Sequence, residues 1–231
     1  MRFATGSAIG RYPPRRVVAD WATRLGETQY MAVETKSIFC LEGDWSRSIK
    51  SRQSVEPLLQ PLQDCGATTY VHRDVATRAE LNHYLDRWLA RGMTRFKIGY
   101  LGFHGSRHTL HLSRNESITL SELADELTGR CNGRLLYFGS CSTLAVQDSD
   151  LQDFCRQTSA RGVVGYTKDV DFVESAGFEI HMLTDLLRAT NVRSAYNRLR
   201  KEHPVLTTRL GLRMAHATWA SERSVAINAL K

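Results

Sequence analysis

Two side chains stand where a nucleophile and its base would stand. His104 lies in Gly102-Phe103-His104-Gly105-Ser106, and Cys141 lies in Phe138-Gly139-Ser140-Cys141-Ser142-Thr143. Each follows a short apolar run and is framed by glycines and small residues, which let a substrate backbone come close. A thiol is only a few per cent thiolate near neutral pH. A base within reach, or a helix N-terminus behind it, makes it a strong nucleophile. A helix beginning soon after Ser142 would supply the second of these. The main-chain N–H groups of Gly105 and Cys141 would then form an oxyanion hole. Taken singly, a cysteine at a strand end is commonly a small core hydrophobe, and a lone histidine a hydrogen-bonded structural residue. Their joint placement at two strand ends favours chemistry at an acyl carbon.

The surrounding elements must position this pair. Ser37 to Leu41 (SIFCL) is an apolar run of the kind found in a buried parallel strand. Val55, Leu58, Leu59 and Leu62 recur on one helix face. Residues 67–71 are strand-like. Thr77-x-x-Glu80 is a capping box for a helix that Gly92 should end. The strand RFKIGYLGF (95–103) follows, then a hairpin arm at 109–112, and Thr119-x-x-Glu122 capping a helix to Leu127. RLLYFG (134–139) is a strand, 151–158 a helix and RGVVGY (161–166) a strand. Phe172, Ala176, Ile180, Leu183 and Leu187 mark a long helix, and residues 191–202 and 205–219 read as helical. Strands separated by crossover helices predict an α/β fold with a mostly parallel sheet covered on both faces. Chemistry in such sheets sits at the carboxyl ends of the strands, where His104 and Cys141 lie.

The chain has 231 residues and a net charge of +7. Residues 1–36 carry +3, residues 37–187 carry −3 and residues 188–231 carry +7, so the basic excess sits at the two ends. The basic C-terminal stretch holds only Tyr196 and Trp219 as aromatics, too few to interleave with its basic residues, which favours a solvated helical face over a nucleic-acid surface. The pattern divides the chain into an N-terminal arm (1–36), a domain (37–211) and a basic tail (212–231). The five cysteines include no CxxC pair, so neither a disulfide scaffold nor a four-cysteine zinc site is expected. No apolar run reaches the roughly 18 residues of a membrane span, and no signal peptide is visible. The expected compartment is cytoplasmic.

The segments YLGFHGS (100–106) and LLYFGSCST (135–143) resemble the strand–His-Gly and strand–x-Cys motifs of caspase-like cysteine peptidases, the clan of caspases, metacaspases, separases and CHAT proteases. RGVVGYTKDVDFVESAGFEIHML (161–183) is similar to the strand–loop–helix after the cysteine in the CHAT and separase branch. SIFCLEGDW (37–45) looks like the opening of compact bacterial members of that clan. The resemblance spans roughly Ser37 to Gly211. It implies a caspase-like three-layer α-β-α sandwich and a cysteine endopeptidase with a Cys141–His104 dyad. It implies no cofactor, a protein or peptide substrate, and a bacterial role in defence or cell death. By the same resemblance, Asp169 pairs with a basic substrate residue, while Arg47 or Arg52 would hold an acidic one. Asp169 and Asp171 read equally as helix caps, with Asp171 better placed. The sequence departs from the caspase Gln-Ala-Cys-x-Gly motif, and His104 precedes Cys141 by 37 residues rather than about 50.

Other chemistries find less support. His104, His108 and His111 lie close together, but an extended 108–112 would turn His108 and His111 to opposite faces, so no metal site is expected. Neither GxxxxGK[ST], GxGxxG nor GxSxG occurs. Trp45 follows the first strand and reads either as packing or as the wall of a substrate cleft. The alternative of a different class is a catalytically inactive caspase-fold binding or regulatory module. The sequence leaves the oligomeric state open.

Overall fold

The computed structural model describes residues 36–46, 48 and 50–222. Residues 1–35 of the arm read at 1–36, the candidate Arg47, Ile49 and residues 223–231 lie outside the described residues. In chain order the first elements are β1 (Ser37–Glu42), α1 (Glu56–Asp64), β2 (Tyr70–Asp74), α2 (Arg78–Leu89), β3 (Phe96–Gly102), β4 (His104–Ser106), β5 (Thr109–His111) and β6 (Ser117–Thr119). They continue as α3 (Leu120–Glu126), β7 (Leu135–Gly139), α4 (Asp148–Thr158), β8 (Gly162–Tyr166), α5 (Phe172–Arg188), α6 (Val192–Glu202), α7 (Pro204–Arg209), β9 (Leu212–His216) and β10 (Trp219–Ala220).

Seven strands form one sheet in the order β10-β9-β8-β7-β3-β1-β2. The run β2-β1-β3-β7-β8 is parallel, and β9 and β10 complete one side antiparallel. Side-chain alternation sends each strand's residues into two cores. Leu136 and Phe138 of β7 pack with Leu85 and Trp88 of α2 and Leu151 and Phe154 of α4. Leu135 and Tyr137 pack on the other face with Leu59 of α1 and Phe178 and Met182 of α5. The architecture is therefore an α/β three-layer α-β-α sandwich with a mostly parallel central sheet. Each fully buried Leu or Phe in these layers contributes about 1.5–3 kcal/mol. β4, β5 and β6 form a separate three-stranded antiparallel sheet, reached directly from β3.

Local signals set several boundaries. Both capping boxes form, at Thr77–Glu80 and at Thr119–Glu122. The second strand lies at 70–74 rather than 67–71. The helix expected to end at Gly92 stops at Leu89, because Ala90 is extended and residues 91–93 make a 3-10 turn. The largest correction concerns the C-terminal part. The helix expected over 205–219 ends at Arg209, because Gly211 adopts φ +68°, where a Cβ would lie 2.5 Å from Thr167 Oγ1. Leu212 to Ala215 then pair antiparallel with β8, and His216 with Trp219 of β10. Residues 212–220 thus belong to the main sheet, not to a basic tail, and the domain boundary drawn at 211 falls inside the fold. Arg213, counted there as part of a solvated basic surface, is fully buried and donates to Asp148 and the Ser221 carbonyl.

Candidate functional site

β3 and β7 are parallel neighbours, with Gly102 opposite Gly139 at the end of the ladder. His104 and Cys141 each stand two residues beyond that pair. A Cβ on Gly105 would lie 2.4 Å from the Cys141 carbonyl oxygen and 2.4 Å from Thr143 Oγ1, so glycine alone lets the two strand ends meet. This contact places the main chains of Gly105 and Cys141, the two expected oxyanion donors, against one another. Gly139 is similarly confined, with a Cβ there 2.5 Å from the Tyr100 ring.

His104 and Cys141 line one cleft of about 220 Å³, together with Trp45, Val55, Tyr100, Val170, Phe172 and Glu179. His104 Nε2 lies 3.0 Å from the Trp45 carbonyl oxygen. A carbonyl only accepts, so this nitrogen carries the proton and the neutral ring keeps its lone pair on Nδ1. The Trp45 ring stands edge-on to both His104 and Phe172, at 5.2 and 5.6 Å between centroids. Trp45 is thus a cleft wall. The Val170 N–H donates to Cys141 Sγ at 3.4 Å, and the thiol donates to the Val170 carbonyl oxygen at 3.8 Å, so the main chain of Val170 fixes the position of the sulfur. Ser142 turns through a left-handed conformation, φ 54°, and its N–H donates to the Lys168 carbonyl. The helix expected just behind Ser142 starts only at Asp148, so no helix N-terminus backs the thiol.

The other cysteines contrast with Cys141. Cys40, Cys131 and Cys155 are buried. Burial pushes the Cys131 thiol up to about 11 and the Cys155 thiol up to about 12, and it drives Cys40 well above the ordinary value. Cys65 is exposed and Cys141 partly exposed.

A second groove of about 710 Å³ adjoins the first and shares Trp45, Gln53 and His104 with it. Between them Trp45 is tethered from below. Glu42, at the buried end of β1, accepts hydrogen bonds from the Trp45 indole, Ser54 Oγ (2.7 Å), the Val55 N–H (2.6 Å) and His72 Nε2 (2.5 Å). Glu42, His72 and Asp74 have ligand atoms within 4.8 Å of one another, a spacing suited to a metal. The Glu42 oxygens are already taken up by these donors, which makes the carboxylate an anchor.

Asp169 is exposed, accepts from Ser142 Oγ at 2.7 Å and does not line the cleft. Asp171 caps α5, accepting from the Val173 and Glu174 N–H groups. Arg52 is exposed and away from the cleft lining. His111 Nε2 bonds Ser106 Oγ at 2.9 Å, apart from the His104 contacts. Sequence reasoning missed Glu42, Tyr100 and Glu179. A signal existed for Tyr100: tyrosines recur near the ends of three strands, at 100, 137 and 166, and all three rings lie in one core.

The model of a family described as "Family of unknown function (DUF6642)" matches residues 35–216. No curated protein matches the chain. Among solved structures, caspase-1 from Spodoptera frugiperda is similar at 12% identity and a TM-score of 0.40, over 67% of this chain and 69% of that one. No described helix is long and apolar enough to cross a membrane.

Proposed function

The chain belongs to DUF6642, a family of unknown function, and from the geometry of its cleft we propose that it is a cysteine endopeptidase. The observation that carries this reading is the His104 Nε2 bond to the Trp45 carbonyl, which leaves the Nδ1 lone pair available in the cleft that also holds Cys141. His104 takes the thiol proton as Cys141 Sγ bonds to the scissile carbonyl carbon. The oxyanion that forms accepts from the Gly105 and Cys141 N–H groups. On collapse the C–N bond breaks and His104 returns its proton to the leaving amine. Water then attacks the thioester, giving a proton to His104 as it does so. The thiolate leaves, the acid product departs and the thiol is restored. No step calls for a cofactor. The grooves on both sides of His104 suit an extended peptide. A role in bacterial defence or cell death rests on the sequence resemblance alone.

Brief iodoacetamide treatment tests the nucleophile, with Cys65 as the internal control. Cys141 should be alkylated faster than the more exposed Cys65. N-terminal labelling of a proteome incubated with wild type should reveal new termini that Cys141→Ala does not produce, while the variant keeps its stability within about 1–2 kcal/mol. Slower labelling at Cys141 than at Cys65, with identical termini from both proteins, would leave the inactive binding module as the reading.

A further inference from the structure

The cleft holds a carboxylate that the peptidase mechanism does not use. Glu179 is 4% exposed and lines the cleft with Cys141 and His104. Its partners are hydroxyls. Tyr100 OH donates at 2.5 Å and Tyr166 OH at 3.4 Å, while Tyr137 OH donates to Tyr166 OH at 3.2 Å. Among the described residues no lysine, arginine or histidine forms an ion pair with it. Burial pushes this carboxyl up, and the hydroxyl donors oppose that by stabilising the anion. A buried acid without a countercharge is costly, and the open side of this one is the cleft beside the nucleophile.

We propose that Glu179 is the specificity-determining acid of the cleft, which accepts an arginine or lysine side chain from the residue whose carbonyl Cys141 attacks. The proposal rests on the peptidase reading above. The cleft, of about 220 Å³, has room for a long side chain. Val55, Leu58 and Val170 line it for the methylenes, and the Tyr100 and Phe172 rings for the cation. The carboxylate completes the site with a charge-assisted hydrogen bond. An acidic side chain would meet a like charge there.

The test uses the full chain and two probes of one skeleton, butylguanidinium and neutral butylurea. Butylguanidinium should protect Cys141 from iodoacetamide in wild type, at concentrations where butylurea does not and Cys65 is unaffected. On matched peptides with Arg, Lys, Leu or Asp before the cut, wild type should favour Arg or Lys over Leu by roughly 100-fold in kcat/KM. Glu179→Gln should bring the Arg-to-Leu ratio of kcat/KM down to within about threefold of one. Equal protection by the two probes, or best cleavage of the Leu or Asp peptide, overturns the pocket while the peptidase stands. Protection by butylguanidinium with no peptide cleaved overturns the peptidase and keeps the cation site. Absence of both overturns both. Should Glu179→Gln fail to fold, the wild-type probe pair decides alone.

Discussion

The His104 ring is held from outside the dyad: its Nε2–H donates to the Trp45 carbonyl at 3.0 Å, and the Trp45 ring stands 5.2 Å away, edge-on. Trp45 in turn is fixed by its indole bond to Glu42. Trp45→Ala keeps the carbonyl but removes both the ring contact and the tether. We expect kcat to fall about tenfold, because the imidazole loses the ring that orients it and the carbonyl beneath it loses its anchor. Steady-state kinetics on the folded variant checks this. A lower yield of protein with an unchanged kcat would give Trp45 a structural role only.

Gly105→Ala places a methyl where the Cys141 carbonyl, Thr143 Oγ1 and Ser140 Cβ already lie, the last at 2.8 Å. Two of these atoms cannot yield without moving the cysteine turn. The expected cost is about 1–3 kcal/mol in stability, with at least a tenfold loss of activity at temperatures where the variant is fully folded. Denaturant melts and kcat measured on the same preparation separate the two effects.

The Glu42–His72 pair makes stability depend on pH. Burial alone would lower the His72 pKa, but the hydrogen bond and charge of Glu42 raise it above the ordinary 6.5. Burial alone would raise Glu42, but bonds from His72, Ser54, Trp45 and Val55 bring it below the ordinary 4.5. The His72 contribution is full below its unfolded value and is lost as pH rises through the raised folded value. The Glu42 contribution is present above its unfolded value and is lost as pH falls through the lowered one. The pair therefore supports the fold best between about pH 4.5 and 6.5. His72→Gln should cost about 1.5–3 kcal/mol at pH 5.5 and clearly less at pH 9. Urea melts at both values decide it, and an equal gap would mean that His72 acts by packing.

Asp171 and Asp169 sit two residues apart and do different things. Asp171→Ala removes the acceptor for two N–H groups at the start of α5 and should cost about 1 kcal/mol. Asp169→Asn, on an exposed side chain bonded to Ser142, should leave the Arg-over-Leu preference unchanged. A selective loss on the Arg peptide would return the pocket to Asp169.

Much of the scaffold was legible because it is local. Apolar runs such as SIFCL and the two capping boxes depend on near neighbours, and each forms where the spacing put it. The floor of the cleft was less legible. The stripe expected on α5 was Phe172, Ala176, Ile180, Leu183 and Leu187; the helix buries Leu183 and Leu187, but with them Ser175, Phe178, Glu179 and Met182. A carboxylate at the edge of an apolar stripe reads as solvated, and only the tyrosines of the neighbouring strands make it a buried one. The residues after 209 were misread for a related reason. Residues 205–219 read as helical, whereas antiparallel pairing with β8, a contact with residues about fifty positions away, makes Leu212 to Ala215 a strand and buries Arg213 against Asp148 and Ser221.

The pairing of Gly102 with Gly139 has one more implication, for cooperativity. Because side chains on a strand alternate, β3 and β7 cannot slide past each other by one rung without exchanging the contents of both cores. The separation of imidazole and thiol is therefore stepped rather than continuous, and the chain has no low-energy state in which the pair is only slightly misaligned by the sheet. Catalytic competence should be all-or-none with global folding: in rising urea, the loss of turnover and the shift in tryptophan emission, to which buried Trp88 contributes, should follow one shared transition.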